Sequence, residues 1–289
     1  MPINNLNKIS MLIIGGFGNQ LFQLAKANEL RKLGYNISID TSDFKRSKSR
    51  INPTTIPREL VLPINYFNFK ESGILEKTFL NSAYKNNFAK KLFIKIGLIG
   101  EINDYNFNKS ELKLFNRMVG YWQNPKMLIE QKDFLIESLK NNKELHDGFN
   151  KKIIPGSTVV HVRRNDYVYL KEDLKINFYK NSIDYCKKNI ENFNFEVFTD
   201  DYSWTANQEV FKDAKLIHND SLTINGTIDT FSKMLNNENY VVGNSTFSLA
   251  AALLSENQKS KIIVASPWFR NSNSKLKIKN SWILINNKI

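Results

Sequence analysis

The stretch Ser10–Asp40, SMLIIGGFGNQLFQLAKANELRKLGYNISID, decides the fold. Met11–Ile14 is a short apolar run, as a buried strand is. Gly16 and Gly18 follow in a turn. Leu21, Leu24, Ala25 and Leu33 recur at helical spacing, and Gly34 stands where a helix C-cap falls. Asn36–Asp40 then alternates polar and apolar side chains as a strand does. Strand, turn, helix and strand make one βαβ unit, the building block of a doubly wound parallel sheet.

The rhythm returns in the second half. STVVHVR (157–163) predicts a strand, INFYKNSIDYCKKNI (176–190) a helix, FEVFTDD (195–201) and KLIHND (215–220) strands. GTIDTFSKMLNN (226–237) predicts a helix, YVVG (240–243) a strand, STFSLAAALLS (245–255) a helix and KIIVAS (261–266) a strand. This alternation implies a second parallel sheet. Residues 44–110 are harder to place. Their start is basic and proline-punctuated, which predicts loops. Residues 81–100 predict an amphipathic helix with Tyr84, Phe88, Leu92 and Ile96 on one face, and 124–140 a single helix. Residues 141–157 carry the turn signals of a linker. A chain of 289 residues fits two domains at roughly 150 each, and the boundary is placed at 150/151.

The composition is 42% apolar and rich in aromatics, ample for two packed cores. The net charge of +13 favours anionic partners: phosphorylated ligands, nucleic acid or anionic membrane. One cysteine, Cys186, excludes an intrachain disulfide and a cysteine zinc cluster and fits a reducing compartment. The N-terminus lacks the shape of a signal peptide, and no apolar run is long enough to span a membrane. The expected location is the cytoplasm.

HVRRNDY (161–167) places charge at the end of an apolar strand, where ligands bind in open α/β sheets. Side chains alternate faces along a strand. His161 and Arg163 therefore share a face, and Arg163 offers a planar guanidinium to a phosphate. Arg164 falls opposite, where pairing with Asp166 or another carboxylate would brace the loop. The bland alternative is a surface ion-pair cluster. Asn244, Ser245, Thr246 and Ser248 crowd a helix start, where free N–H groups bind anions or hydroxyls simply cap the helix. Gly16 and Gly18 resemble a phosphate-cradling loop, with Leu21 in place of the third glycine. Asn19 and Gln20 there are able to meet a sugar or phosphate. Asp40 lies about where a ribose-binding acid would, which keeps an NAD(P)-dependent oxidoreductase as a distant alternative. Asp229 sits in a helix's first turn, either favouring the dipole or reading a base edge. No D-x-D triplet occurs, so no metal-bridged site is signalled.

GGFGNQLFQLA, GYWQNPKML, HVRRNDYV, INFYKNSIDY, FTDDYSW and VVGNSTFSLAAALL occur in that order. Together they resemble the bacterial α-1,2-fucosyltransferases of glycosyltransferase family 11, over nearly the whole chain and weakly between about 44 and 110. The H-x-R-R-x-D element is also similar to that of the α-1,6-fucosyltransferases. The resemblance implies a GT-B fold, two Rossmann-like domains facing a central cleft. Residues 1–150 would form the acceptor side and 151–289 the GDP-sugar side. It further implies a GDP-6-deoxyhexose donor, no metal or other cofactor, and inversion at the anomeric carbon. By resemblance Arg163 holds the donor's β-phosphate, His161 contacts the nucleotide, Asp229 reads guanine and Ser248 lies near the β-phosphate.

The implied reaction moves L-fucose from GDP-β-L-fucose to a galactose 2-hydroxyl of a surface glycan of O-antigen or lipopolysaccharide type. Asn165 departs from the family's usual glycine, and Leu249 and Ala250 stand where the family often has tryptophans. That departure makes colitose, a 3,6-dideoxyhexose, the alternative to fucose. Asp166, Glu172 and Asp173 are the candidates for the base. The acceptor is expected to be a galactose-containing glycan, free or carried on lipid pyrophosphate, with no nucleic acid as partner. The basic segment near Lys90 and Lys91 is the expected peripheral contact with the cytoplasmic face of an inner membrane.

Overall fold

A computed structural model describes residues 8–47, 58–102, 112–219, 223–255, 260–269, 276 and 279–287. The first sheet contains β1 (Lys8–Leu12), β2 (Asn36–Asp40), β3 (Lys70–Glu71), β4 (Ile99–Ile102) and β5 (Phe115–Met118), in the spatial order β3-β2-β1-β5-β4. The second contains β6 (Ile154–Val162), β7 (Asn194–Thr199), β8 (Lys215–His218), β9 (Asn237–Gly243), β10 (Ile262–Ser266) and β11 (Ile283–Asn286), in the order β11-β10-β9-β6-β7-β8. Every neighbouring pair of strands is parallel. Two parallel sheets flanked by helices, with a cavity between them, are the GT-B arrangement that the resemblance implies.

The opening βαβ unit forms as read. The Phe17–Lys32 helix joins β1 to β2 and ends on Gly34, whose φ of +88° suits glycine. A large apolar cluster runs through both halves: Ile9, Met11, Leu21 and Leu24 of the first join Phe231, Leu249 and Leu253 of the second. Phe17 packs edge-on against Phe231 with centroids 5.0 Å apart. A smaller cluster, built on Val160, Val162, Phe178, Val197 and Ile263, belongs to the second sheet alone.

Several local expectations are corrected. Residues 81–100 do not form one helix. The chain breaks at Asn86, whose side chain accepts from the Phe88 and Ala89 N–H groups and caps a new helix, Asn87–Lys95. Phe88, Leu92 and Ile96 face outward, while Phe93 turns in against Phe79. Residues 124–140 divide at Gln131 into helices Pro125–Glu130 and Lys132–Leu139. The expected linker contains a capped helix, Lys143–Asn150. It packs so closely on helix Ile224–Met234 that a Cβ at Gly148 would stand 2.5 Å from Ser232 Oγ. This stretch, placed in the first domain, therefore leans on the second.

Candidate active site

A cavity of about 560 Å³ lies between the two halves, at the carboxyl ends of β1 and β6. Its size falls in the range of small-molecule sites. It is lined by Gly16, Gly18 and Asn19 from the first half and by His161, Arg163, Asp166, Ser245 and Thr246 from the second. Eight of the residues singled out in the sequence thus meet in one place.

Arg163 follows β6 and is nearly buried. It donates to Asp200, at the end of β7, and through Nη2 to Asp166 Oδ1 at 2.6 Å. Burial works against its charge, but Asp200 and Asp166 outweigh it and raise its pKa. Arg164 turns the other way. It donates to Asp201 at 3.0 Å and Asp173 at 3.3 Å and lies over the Trp204 ring at 3.9 Å. It braces the loop as expected, through carboxylates other than Asp166.

His161 is buried, and its Nδ1 lies 2.9 Å from Ser248 Oγ. That hydroxyl has one proton, which it gives to a backbone carbonyl, Val242 O at 3.0 Å or Ser245 O at 3.3 Å. It therefore accepts from Nδ1–H, and Nε2 is left as the bare acceptor. Nε2 has no hydrogen-bond partner among the described residues. Burial, aided by Arg163, lowers the imidazole's pKa to about 3. A neutral ring with a free lone pair suits an N–H or O–H donor of a ligand, not a phosphate.

The remaining predicted residues stand behind the wall or elsewhere. Ser248 orients His161. Asn244 donates to Glu172 O at 2.8 Å and ties two loops together. Glu172 is buried and does not line the cavity. Gln20 is buried in the first half, donating to Gly15 O and Glu59 O and accepting from Val61 N. Gly18 is required by a close approach. A Cβ there would lie 2.4 Å from the Thr246 carbonyl, where the starts of two helices from opposite halves meet. Asn19 Oδ1 accepts from Thr246 Oγ1 at 3.0 Å across the same contact.

Two acids are displaced from their expected roles. Asp229 pairs with Lys233 at 2.6 Å and lies in a separate surface groove with Glu144. Thr227 and Ile224 of the same helix line the cavity instead. Asp40 is sealed in an ion pair with Arg117 at 3.1 Å and bonds the Ser42 N–H, so it offers nothing to a ribose. The cavity also holds residues not singled out in the sequence: Arg58, Glu59 and Asp43 from the first half, and Asn219 from the second. Asp43 has no side-chain partner among the described residues.

Two Rossmann-like halves and a cavity lined by an arginine, a neutral histidine and a hydroxyl-rich helix start define an α/β protein built to hold an anionic, polar ligand between its domains. The profile of glycosyl transferase family 11 matches residues 8–286. The chain belongs to that family and is a glycosyltransferase, which implies a nucleotide-sugar donor and a glycan acceptor. It is 28% identical over 293 aligned positions to an alpha-1,2-colitosyltransferase of Escherichia coli, covering 89% of this chain and 91% of that protein. Among solved structures it is similar to fucosyltransferase NodZ from Bradyrhizobium, at 14% identity and a TM-score of 0.41, over 86% of this chain and 92% of that one. It is also similar to a variant of Arabidopsis thaliana FUT1 in complex with GDP, at 10% identity and a TM-score of 0.48, over 95% of this chain and 73% of that one.

Proposed function

We propose that the protein transfers a GDP-activated deoxyhexose to a galactose 2-hydroxyl of a surface glycan, with inversion at the anomeric carbon. The observation that carries this reading is the convergence of Arg163, His161 and the Ser245–Thr246 helix start on one cavity. The acceptor oxygen attacks the anomeric carbon from the face opposite GDP, and the bond to the β-phosphate oxygen breaks with its electron pair. Arg163 and the helix start stabilise the charge that grows on the phosphate, a contribution of about 3 kcal/mol for one well-placed donor. The hydroxyl proton goes to a carboxylate of the first half. Asp43 is the candidate, since Glu172 stands outside the cavity and both Asp166 oxygens already face guanidinium groups.

Fucose and colitose are both carried forward as the sugar. The named E. coli relative favours colitose. Leu249 and Ala250, which replace the family's tryptophans, are fully buried and change the packing behind the wall rather than the lining itself. The deciding experiment offers both GDP-sugars with a galactoside acceptor and reads the products by mass spectrometry. Consumption of neither donor would sink the reading. Turnover is expected to persist in excess EDTA; loss rescued only by a divalent metal would show that the arginine does not suffice.

A peripheral contact with anionic lipid is the second part of the proposal. No helix among the described residues is long and apolar enough to cross a membrane. Phe88, Leu92 and Ile96 are 76%, 44% and 62% exposed on the outward face of Asn87–Lys95, beside exposed Lys91 and Lys95. Lys90 is instead drawn to Glu101 at 2.5 Å. An apolar stripe edged by lysines fits a headgroup layer. Sedimentation with phosphatidylglycerol vesicles, but not with phosphatidylcholine vesicles, is the expected result, lost in Phe88→Glu/Leu92→Glu.

A further inference from the structure

Arg58 lines the same cavity as Arg163 but comes from the other half of the molecule. Gln20 grips the backbone just after it, at Glu59 O and Val61 N, so the side chain leaves from a fixed point. Its Nη2 donates to Asp166 Oδ2 at 3.2 Å, while Asp166 Oδ1 accepts from Arg163 Nη2 at 2.6 Å. One carboxylate therefore bridges two guanidinium groups from opposite halves. Burial and the like charge of Arg163 both lower the Arg58 pKa, with Asp166 and Asp200 acting against them. Placing a second cation so close to the first in a confined space is costly unless an anion is shared between them.

We infer that Arg58 is a second phosphate-binding residue, which joins Arg163 on the distal phosphate of the nucleoside-diphosphate donor in place of the Asp166 carboxylate. Phosphate oxygens meet guanidinium forks with the geometry that carboxylate oxygens use. The inference rests on the nucleotide-sugar reading of the cavity. It makes the leaving group a ligand of both halves, so the acceptor-side domain contributes directly to departure of the diphosphate. It also gives Asp166 a different part from the base considered above: it holds the two arginines at the right spacing and yields to the phosphate.

Calorimetric titration of the full chain with GDP and with GMP tests this, with melting temperature as the check on folding. Arg58→Met is expected to lose about tenfold or more in GDP affinity, the worth of a hydrogen bond to a charged group. Its affinity for GMP should change much less, and Arg58→Lys should recover part of the loss. Asp166→Asn provides an independent arm. Freed of a competing carboxylate, it should bind GDP more tightly than the wild type, and adding Arg58→Met should abolish the gain. A wild-type protein that binds no GDP overturns the nucleotide reading and this inference with it. A wild type that binds GDP, beside a folded Arg58→Met variant that binds it equally well, overturns the role of Arg58 alone.

Discussion

Each half of the molecule buries an arginine at a parallel sheet and pairs it with an aspartate at the end of another strand. In the first half Arg117 of β5 reaches past β1 to Asp40 of β2 and also holds Asn81 Oδ1 at 3.0 Å. In the second Arg163, just after β6, meets Asp200, just after the adjacent β7. The chemistry is the same and the use differs. The Arg117 pair is sealed off and does not line the cavity, whereas Arg163 does, and it shares Asp166 with an arginine from the opposite half. A buried arginine–aspartate pair is therefore no sign of function by itself. What marks the second pair is a guanidinium that still faces open space.

The largest expected effect breaks the sealed pair. Arg117→Met leaves the Asp40 carboxylate buried without its cation, a loss of about 3–5 kcal/mol. Urea unfolding should show it, with turnover per folded molecule unchanged. A stable Arg117→Met protein with ruined turnover would erase the distinction between the two pairs. Next comes the open pair. Arg163→Lys keeps the charge but loses the planar fork, so kcat should fall on the order of 100-fold. Its melting temperature should move less than that of Arg117→Met. Wild-type kinetics in Arg163→Lys, beside a dead but folded Arg164→Lys, would exchange the roles of the neighbouring arginines.

A smaller effect concerns pH. His161 is neutral in the folded protein, with a pKa of about 3, and takes up a proton on unfolding near 6.5. The stability held by the neutral ring is complete above pH 6.5 and is lost as the pH falls from there toward 3. Between pH 7 and 5.5 the loss is about 1 kcal/mol. Unfolding of His161→Asn should depend less on pH across that window; an identical slope would mean that the ring is not held neutral. The smallest effect belongs to Asp229→Ala. An exposed pair with Lys233 contributes little, and affinity for GDP should stay at the wild-type value. A clear loss of guanine preference would return Asp229 to the site.

The elements easiest to read were those whose burial is apolar. Met11–Ile14 at the end of β1 and Tyr240–Val242 in β9 are apolar runs, and the turns after them carry glycine or hydroxyls. Strand β5, FNRM, escaped because it buries Asn116 and Arg117. Asn116 is satisfied by Lys8 O, Lys113 O and the Lys113 N–H, so a polar residue sits inside a sheet without cost. Arg163 was legible because strand alternation gives its direction. Asp229 misled because a helix turns about 100° per residue. Two positions beyond Thr227, which lines the cavity, it points away. Arg58 had no pattern to betray it: its place depends on a bond network through Gln20, distant in sequence, and on the docking of one half against the other.

The apolar cluster that passes from Ile9 to Phe231 without a break has a thermodynamic consequence. Domains joined by a polar seam melt separately, each with its own transition. Here the helices Phe17–Lys32 and Thr246–Ser255 share one interior, and neither half can open without exposing the other's side chains. Heating should give a single calorimetric peak whose enthalpy scales with the whole chain rather than with half of it. A lesion as remote as Arg117 would then lower the temperature at which the donor side itself dissolves.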